Sequence, residues 1–372
     1  MSSKQAIMID ARIAIKNSEH GIARHVKELL LNLFKIASGN DKTYFILINN
    51  DNVFLDEALP SNFKLIILKN SVFSLKSQIE LFFVIKKYKP DIFHSPQFIV
   101  PLLSTVPLIA TIHDMNHLAL GNNYSFIKRF YYQFFLQRKL KKAKAIITVS
   151  NFSKQEIIKY FNIKPELIHV IYNGVQNNFK PLNFFSQEKI ISVLKKYDLP
   201  EKYIFTLGNS KPHKNLAKVL ESYCLGNFNL PLVILTNIKE QIEDLKQNYN
   251  CNKEIKTLTY VAEEDFPIIY GLSKIFIYVS LYEGFGLPPI EAAACGIPSI
   301  VSNTTSLPEI MGNNAIYVDP LKLNEIQAGI EFGLQTESKE VQAIVKNGFT
   351  WIQKYSWLEM AKETLHIYDS LQ

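Results

Sequence analysis

The feature that most constrains this chain is an alternation that runs through it twice: short apolar runs separated by segments with helical apolar spacing. The runs Ala6–Ile9, Tyr44–Ile48, Leu65–Leu68, Asp91–Phe93, Leu108–Thr111, Ala145–Val149 and Ile168–Ile171 are too short for buried helices and rich in β-branched side chains. Amphipathic stretches at Ile22–Ile36, Lys76–Tyr88, Phe126–Lys142 and Lys154–Phe161 lie between them. Strands apolar on both faces and joined by helices belong to a parallel sheet covered on both sides. The rhythm restarts with strands expected at Tyr203–Thr206, Leu232–Leu235, Lys256–Tyr260, Ile275–Val279, Ser299–Val301 and Ala315–Val318. Helices are expected near Asn215–Cys224, Lys239–Gln247, Pro289–Ala294 and Asn324–Leu334.

A chain of 372 residues is also longer than one core usually supports, since cores rarely grow past roughly 250–300 residues. Residues 1–175 are therefore expected as one doubly wound α/β domain and residues 201–355 as a second. The stretch 176–200 lacks a strand pattern and carries Asn177, Asn178, Pro181 and Pro200, so it reads as a linker. Two such domains facing one another create a cleft, and doubly wound sheets bind ligands beyond the carboxyl ends of their strands.

Several protein classes are disfavoured. The apolar region Ile92–Ile112 is interrupted by His94, Pro96, Gln97, Pro101 and Pro107, whereas a spanning helix needs about 20 mostly apolar residues. No secretory signal pattern opens the chain, and a cytoplasmic location is expected. Cys224, Cys251 and Cys295 are odd in number and form no CxxC, so neither a disulfide framework nor a zinc knuckle is expected. Charge is uneven: residues 1–180 hold 24 Lys+Arg against 12 Asp+Glu, and residues 181–372 hold 17 against 22. The basic half suits an anionic partner, whether nucleic acid, lipid or a phosphorylated substrate.

The segment that carries chemistry is LYEGFGLPPIEAAACG, Leu281–Gly296, directly after the apolar run IFIYVS. Glu283 closes the strand, and Gly284 and Gly286 let backbone N–H groups approach a ligand. Pro288 and Pro289 suit a first helical turn, and Glu291 projects from that turn. A helix N-terminus with free N–H groups is a natural seat for a diphosphate.

This Glu-x7-Glu arrangement resembles that of family 4 retaining glycosyltransferases of the GT-B fold, in particular mannosyltransferase-like members of glycosyltransferase group 1. The resemblance extends to GIARHVKELL (Gly21–Leu30), TIHD (Thr111–Asp114), ITVSNFSKQEI (Ile147–Ile157), VIYNGV (Val170–Val175), LGNSKPHKNL (Leu207–Leu216) and SNTTSLPEIMGNNAIYVDP (Ser302–Pro320). It implies two Rossmann-like domains around a cleft, with the C-terminal helix 356–372 packing back onto the first. It also implies that Glu291 binds the ribose of a nucleotide-sugar donor and that Glu283 acts at the sugar beside the reacting carbon. The backbone of Gly284, Phe285, Gly286 and Leu287 would face sugar and phosphates. His113 would reach the donor sugar or assist acceptor deprotonation, with Asp114 orienting the neighbourhood and not reacting. Gly21 would sit in a loop passing near the diphosphate.

No two aspartates are separated by one residue, so a metal-binding DxD is absent and no metal or other cofactor is expected. Positive charge for the leaving diphosphate should then come from Lys214 and helix dipoles. His213 stands where the family usually has a basic residue, and Asn209 stands where some members carry arginine. Similarity of SKPHKNL and SLYEGFGLPPIEA to mannosyltransferase-like members makes GDP-mannose the first donor to expect, with a UDP-sugar as the other. The acceptor would be a glycan or lipid-linked glycan of surface polysaccharide such as O-antigen or capsule. It would be met by loops near Asn17–His20, Ser71–Leu75 and Asn116–Tyr124.

The segment Tyr124–Lys144, YSFIKRFYYQFFLQRKLKKAK, holds seven Lys/Arg and seven aromatics, which suits either packing on the sheet or contact with an anionic membrane. The competing enzyme readings are a GT-B nucleotide-sugar epimerase or a phosphorylase. A non-catalytic nucleic-acid or anion-binding protein is the alternative of another class, though no helix-turn-helix, RRM or zinc-finger pattern supports it.

Overall fold

The computed structural model describes residues 5–14, 21–49, 59–121 and 129–371. They fall into two compact units, Met1–Gly174 with Ser356–Gln372, and Val175–Tyr355. The first contains a seven-stranded sheet, all of whose pairings are parallel: β1 (Ala6–Asp10), β2 (Thr43–Ile48), β3 (Phe63–Ile67), β4 (Ile92–Ser95), β5 (Leu108–Ile112), β6 (Ala145–Thr148) and β7 (Ile168–Val170). The spatial order is β3-β2-β1-β4-β5-β6-β7, so the winding reverses between β1 and β4. β5 is buried at every position, which is why LIATI shows no alternation of polar and apolar residues.

One side of this sheet is covered by the helix Leu75–Tyr88, through Leu81 and Ile85, and by the helix Asn151–Phe161, through Ile157 and Phe161. The terminal helix Trp357–Ser370 packs against the helix Gly21–Ile36. Gly174 permits that arrangement, because a Cβ there would lie 2.1 Å from the backbone nitrogen of Trp357. Buried Tyr368 reaches into the sheet, its hydroxyl 2.6 Å from Nδ1 of His94 on β4.

The second unit repeats the design with β8 (Tyr203–Leu207), β9 (Leu232–Leu235), β10 (Ile255–Leu258), β11 (Ser273–Tyr278), β12 (Ser299–Ser302) and β13 (Ile316–Val318). Its order is β10-β9-β8-β11-β12-β13, again parallel, with the reversal between β8 and β11. Helix starts are set by local chemistry in both units. Ser74, Ser150, Ser186, Ser338 and Ser356 each accept the backbone N–H three residues on, satisfying a donor that the helix itself leaves unpaired.

Two expectations need correction. The stretch 176–200 is not a bare linker: it carries the helix Gln187–Tyr197 and belongs to the second unit. That helix is held by Asp265, whose buried carboxylate accepts from Lys189 Nζ (2.7 Å), Lys196 Nζ (2.6 Å) and the Tyr197 hydroxyl (2.9 Å). Cys224 and Cys251, expected to be unpaired, form a disulfide, because the helices Leu216–Leu225 and Lys239–Asn248 pack side by side and bring positions 27 residues apart together. The expected helix Phe126–Lys142 is helical over the described residues 129–140, with a π-helical stretch Tyr131–Leu136 leading into Gln137–Leu140. Its residues Tyr132 and Leu136 are buried, while Phe130, Phe134 and Phe135 are exposed. Tyr124 and Phe126 of that segment, and the loop Asn17–His20, lie outside the described residues. Among the described residues, no helix is long and apolar enough to cross a membrane.

Asp265→Ala should lower the unfolding free energy of the second unit by about 2 kcal/mol, since it strips three donors of one buried acceptor while the two ammonium groups can still reach water. A urea titration would show a lower midpoint at unchanged slope. A shift below about 0.5 kcal/mol would mean that the helix Gln187–Tyr197 is held by other contacts.

Candidate functional site

The reversal between β8 and β11 opens a crevice at the carboxyl ends of those strands, where doubly wound sheets take their ligands. The loop after β8 ends in a single 3-10 turn, Pro212–Lys214. The segment after β11 leads through Ser280 and Glu283 to the glycine turn and the helix Leu287–Ala294. Lys214 Nζ lies 2.7 Å from Oε1 of Glu283 and 2.8 Å from the hydroxyl of Tyr278, and that hydroxyl donates to the same carboxylate oxygen at 2.7 Å. The three side chains form a closed triangle. Lys214 and Glu283 keep 18% and 13% of their side-chain surface, so the pair is mostly desolvated but still meets solvent.

Burial by itself would favour the neutral acid, yet Lys214, Tyr278 and Ser280 together hold Glu283 below the ordinary carboxylate value. Burial likewise opposes charge on Lys214, and the attraction of Glu283 outweighs it, keeping the ammonium above its ordinary value. Burial, followed by the neighbouring carboxylate, pushes the Tyr278 phenol up. At neutral pH the triangle is thus ammonium, carboxylate and neutral phenol. Two of the three ammonium protons point to Glu283 and Tyr278, which leaves the third for another acceptor.

Neighbouring backbone is fixed by hydrogen bonds. His213 is buried, and its carbonyl accepts from Leu281 N and Ser280 Oγ, both at 2.7 Å, joining the β8 loop to the end of β11. Burial drops its imidazole to about 4, so the ring is neutral at the position where the family usually has a basic residue. Asn215, at φ +57°, donates to the carbonyls of Val279 and Pro320 at 3.0 and 2.9 Å. Asn209 turns back on its own loop, accepting from Lys211 N at 3.1 Å.

The turn itself is set by Gly286 at φ +99°, where a Cβ would lie 2.5 Å from Leu307. Ser306 Oγ reaches the carbonyls of both Glu283 and Phe285 at 3.0 Å, and Glu283 N donates to Thr305 Oγ1 at 3.3 Å. Gly284 and Phe285 are buried in this turn, Phe285 edge-on to Tyr355, and Leu287 opens the helix half-buried. Glu291, buried on the helix, accepts from the Tyr270 hydroxyl at 3.1 Å.

Two expected residues lie in the first unit. Gly21, expected in a loop, is instead the exposed first residue of the helix Gly21–Ile36; the periodicity from Ile22 extends back to it. His113 follows β5 directly, half-buried, with Nε2 3.1 Å from the carbonyl of Pro96 and its ring edge-on to His25 at 4.7 Å. Ser153 Oγ donates to the His113 carbonyl, and Asp114 accepts from Asn116 N at 3.0 Å, so the NFSK and TIHD segments lock together. His25 Nδ1 lies 2.8 Å from Asn173 Oδ1. Burial lowers His25 to about 4 and His94 to about 3, and burial with the nearby His25 depresses His113.

Residue-by-residue reading missed Tyr278, Asn215, Thr305, Ser306, Tyr270, His25 and the buried pair Asp10–Arg12. In that pair two guanidinium nitrogens meet the carboxylate at 2.8 and 2.7 Å beyond β1, and a third reaches Ser77 Oγ at 2.6 Å. An acid and an arginine two apart at a strand end was the available signal. Among the described residues, no three His, Cys, Asp or Glu side chains converge as metal ligands.

Residues 186–351 match the family described as glycosyl transferases group 1, and residues 20–179 match glycosyltransferase family 4. The chain is 32% identical to the O-antigen chain mannosyltransferase B of Escherichia coli over 296 residues, which cover 77% of this chain and 76% of that one. It is 28% identical to the serotype-specific mannosyltransferase WbdA of E. coli over 94% of this chain, which spans only 45% of WbdA. Among solved structures, Anabaena HepE in complex with UDP and glucose superimposes with a TM-score of 0.73 at 15% identity, covering 98% of this chain and 100% of that one. That likeness speaks to the fold alone.

The neutral histidines generate a pH dependence. Each is uncharged in the fold but takes a proton near 6.5 when unfolded, so the unfolded state binds more protons as pH falls. Stability is therefore full above about pH 6.5 and declines toward pH 4, at up to about 1.4 kcal/mol per pH unit for each histidine. Chemical denaturation at pH 7.5, 6 and 5 should show this decline, and His94→Gln should flatten it in the transition of the first unit. An unchanged slope would show that His94 is protonated in the fold.

Proposed function

The chain belongs to glycosyltransferase family 4 and has the GT-B fold; on that premise we propose that it transfers mannose from GDP-mannose to a lipid-linked glycan in O-antigen synthesis. That it is a hexosyltransferase follows from the family and its mannosyltransferase relatives. The choice of mannose rests on what those relatives are named for, and the guanine base on the resemblance of SKPHKNL and SLYEGFGLPPIEA.

The observation that carries the reading is the Lys214–Tyr278–Glu283 triangle beside the N-terminus of the helix Leu287–Ala294. The diphosphate would take the third ammonium proton of Lys214 and the N–H groups of Gly286 and Leu287 at the helix start, since Pro288 and Pro289 have none; these donors and the helix dipole supply positive potential without a metal ion. With His213 neutral, Lys214 is the cation of that loop closest to the reacting groups. Glu291 would hold the ribose hydroxyls while its carboxylate is steadied by Tyr270.

Glu283 would sit against the sugar, where its negative charge stabilises the oxocarbenium-like transition state. We assign retention: the bond from the anomeric carbon to the diphosphate breaks and the bond to the acceptor oxygen forms on the same face. The acceptor proton passes to the departing diphosphate. His113, neutral and beside the carbonyl of Pro96, would accept a hydrogen bond from or donate one to a sugar hydroxyl in the first unit. On this reading the protein works in the cytoplasm, at the inner face of the membrane that carries its acceptor.

Glu283→Ala should lower turnover about 10²- to 10³-fold with little change in donor affinity, as expected when a charge acting on the transition state is removed. Glu291→Ala should weaken GDP-mannose binding about 10- to 100-fold. Calorimetry with GDP-mannose and initial rates would separate the two. If both variants match wild type in both measurements, the assignments fail. Wild-type activity should survive excess EDTA, whereas loss reversed by magnesium would refute the metal-independent route.

A further inference from the structure

The helix Leu75–Tyr88 has two apolar sides. Ser77, Leu81 and Ile85 recur at four-residue spacing and are buried on the sheet. Leu75, Ile79, Phe82 and Phe83 fall on the opposite side, where Leu75 is 88%, Ile79 55% and Phe83 62% exposed. A helix covering a sheet needs one apolar stripe; a second one facing solvent is unexplained by packing. Lys76, Lys86, Lys87 and Lys89 on and beside this helix are all exposed. Its acid, Glu80, is occupied by the backbone N–H groups of Lys69 and Asn70, so it does not cancel the lysines of the outer face.

The stripe does not stop at the helix. Leu102 N donates to Gln78 Oε1 at 2.8 Å, tying the helix to the loop 96–104, whose Leu103 is 57% exposed. That loop is tied in turn to the π-helical turn Tyr131–Leu136: Val100 N donates to the Tyr131 hydroxyl, which donates to the carbonyl of Phe98. Lys139 Nζ donates to Ser104 O at 2.7 Å. Phe130 and Phe134, stacked at 4.4 Å, are exposed there beside exposed Arg138, Lys141 and Lys142. Two helical segments and the loop between them thus present bulky apolar side chains ringed by cations. Contiguous patches of this kind are uncommon on monomers and mark interaction surfaces.

We propose that this face, built on the outer stripe of the helix Leu75–Tyr88 and continued through Leu103 to Phe130 and Phe134, docks the first unit on an anionic lipid bilayer. Large apolar side chains would enter the boundary between headgroups and acyl chains, and the surrounding lysines and arginines would meet lipid phosphates. Charge decides against a second copy of this chain, because an isologous contact would bring the same lysines together. The surface extends beyond the aromatic-basic segment to which composition alone pointed, and its most exposed part, Leu75–Phe83, lies outside that segment. The inference deepens the membrane placement in the proposed function and rests on it for its occupant, but its test needs no sugar donor, so its failure would leave the transfer reaction standing.

The test is co-sedimentation of the full chain with vesicles of phosphatidylcholine containing phosphatidylglycerol, against phosphatidylcholine alone. Wild type should sediment with the anionic vesicles and be released by raised salt, while binding to phosphatidylcholine alone should be at least about tenfold weaker. The double variant Ile79→Glu, Phe83→Glu should lose anionic-vesicle binding about tenfold or more with an unchanged melting temperature, since both side chains are exposed. Leu321→Glu, an exposed apolar position in the second unit, should bind as wild type. Failure of wild type to bind anionic vesicles, or equal binding by the double variant, would overturn the proposal. So would a double variant that turns a dimer into a monomer by light scattering, which would assign the face to a second copy.

Discussion

Lys214, Glu283 and Tyr278 meet in a mostly buried corner where none of them could stand alone. A desolvated ammonium or carboxylate is costly unless paired, and removing one partner of such a pair leaves the other uncompensated. The triangle therefore requires that the loop after β8 and the segment after β11 be held in fixed register. Most of the surrounding hydrogen bonds serve that end: Asn215 reaches Val279 and Pro320, Ser280 reaches His213, and Ser306 fastens the turn that follows Glu283. The sheet supplies the frame, since β8 and β11 are neighbours only because the winding reverses between them.

Function follows from what this arrangement leaves unused. Lys214 retains a proton beyond those given to Glu283 and Tyr278, and the helix Leu287–Ala294 starts with the N–H groups of Gly286 and Leu287, which its own ladder cannot satisfy, ahead of Pro288 and Pro289, which have none. Both point toward an anion. Gly286 lets the turn pack as it does, because any side chain there would collide with Leu307. Burial keeps His213 neutral and removes the second cation that position could supply, so on the proposed reading the lysine and the helix dipole would carry the leaving-group charge together.

Much of this was legible in the chain because the relevant residues obey local rules. Glu283, Gly286 and Glu291 stand in a strand–turn–helix whose glycines and prolines have positional meaning, and Lys214 precedes a helical pattern. Tyr278 was not legible, since in IFIYVS it reads as one more core aromatic and only the fold brings its hydroxyl to Glu283. Ser306 and Thr305 act from a loop after β12, through hydroxyl groups that any surface loop could carry. The helix Gln187–Tyr197 was hidden by the asparagines and prolines flanking it, and the helix Phe266–Leu272 by a run too short and too uniformly apolar to show a period. The Cys224–Cys251 pairing depends on how two helices pack, which spacing along the chain does not encode.

The most direct test is a crystal structure of the protein soaked with GDP-mannose. The account predicts phosphate oxygens within hydrogen-bond distance of Lys214 Nζ and of the N–H groups of Gly286 and Leu287 at the start of the helix Leu287–Ala294, the mannose beside Glu283, and the ribose on Glu291. A nucleotide sugar bound elsewhere in the chain, with the Lys214–Glu283 pair untouched and that helix start facing only solvent, would contradict it.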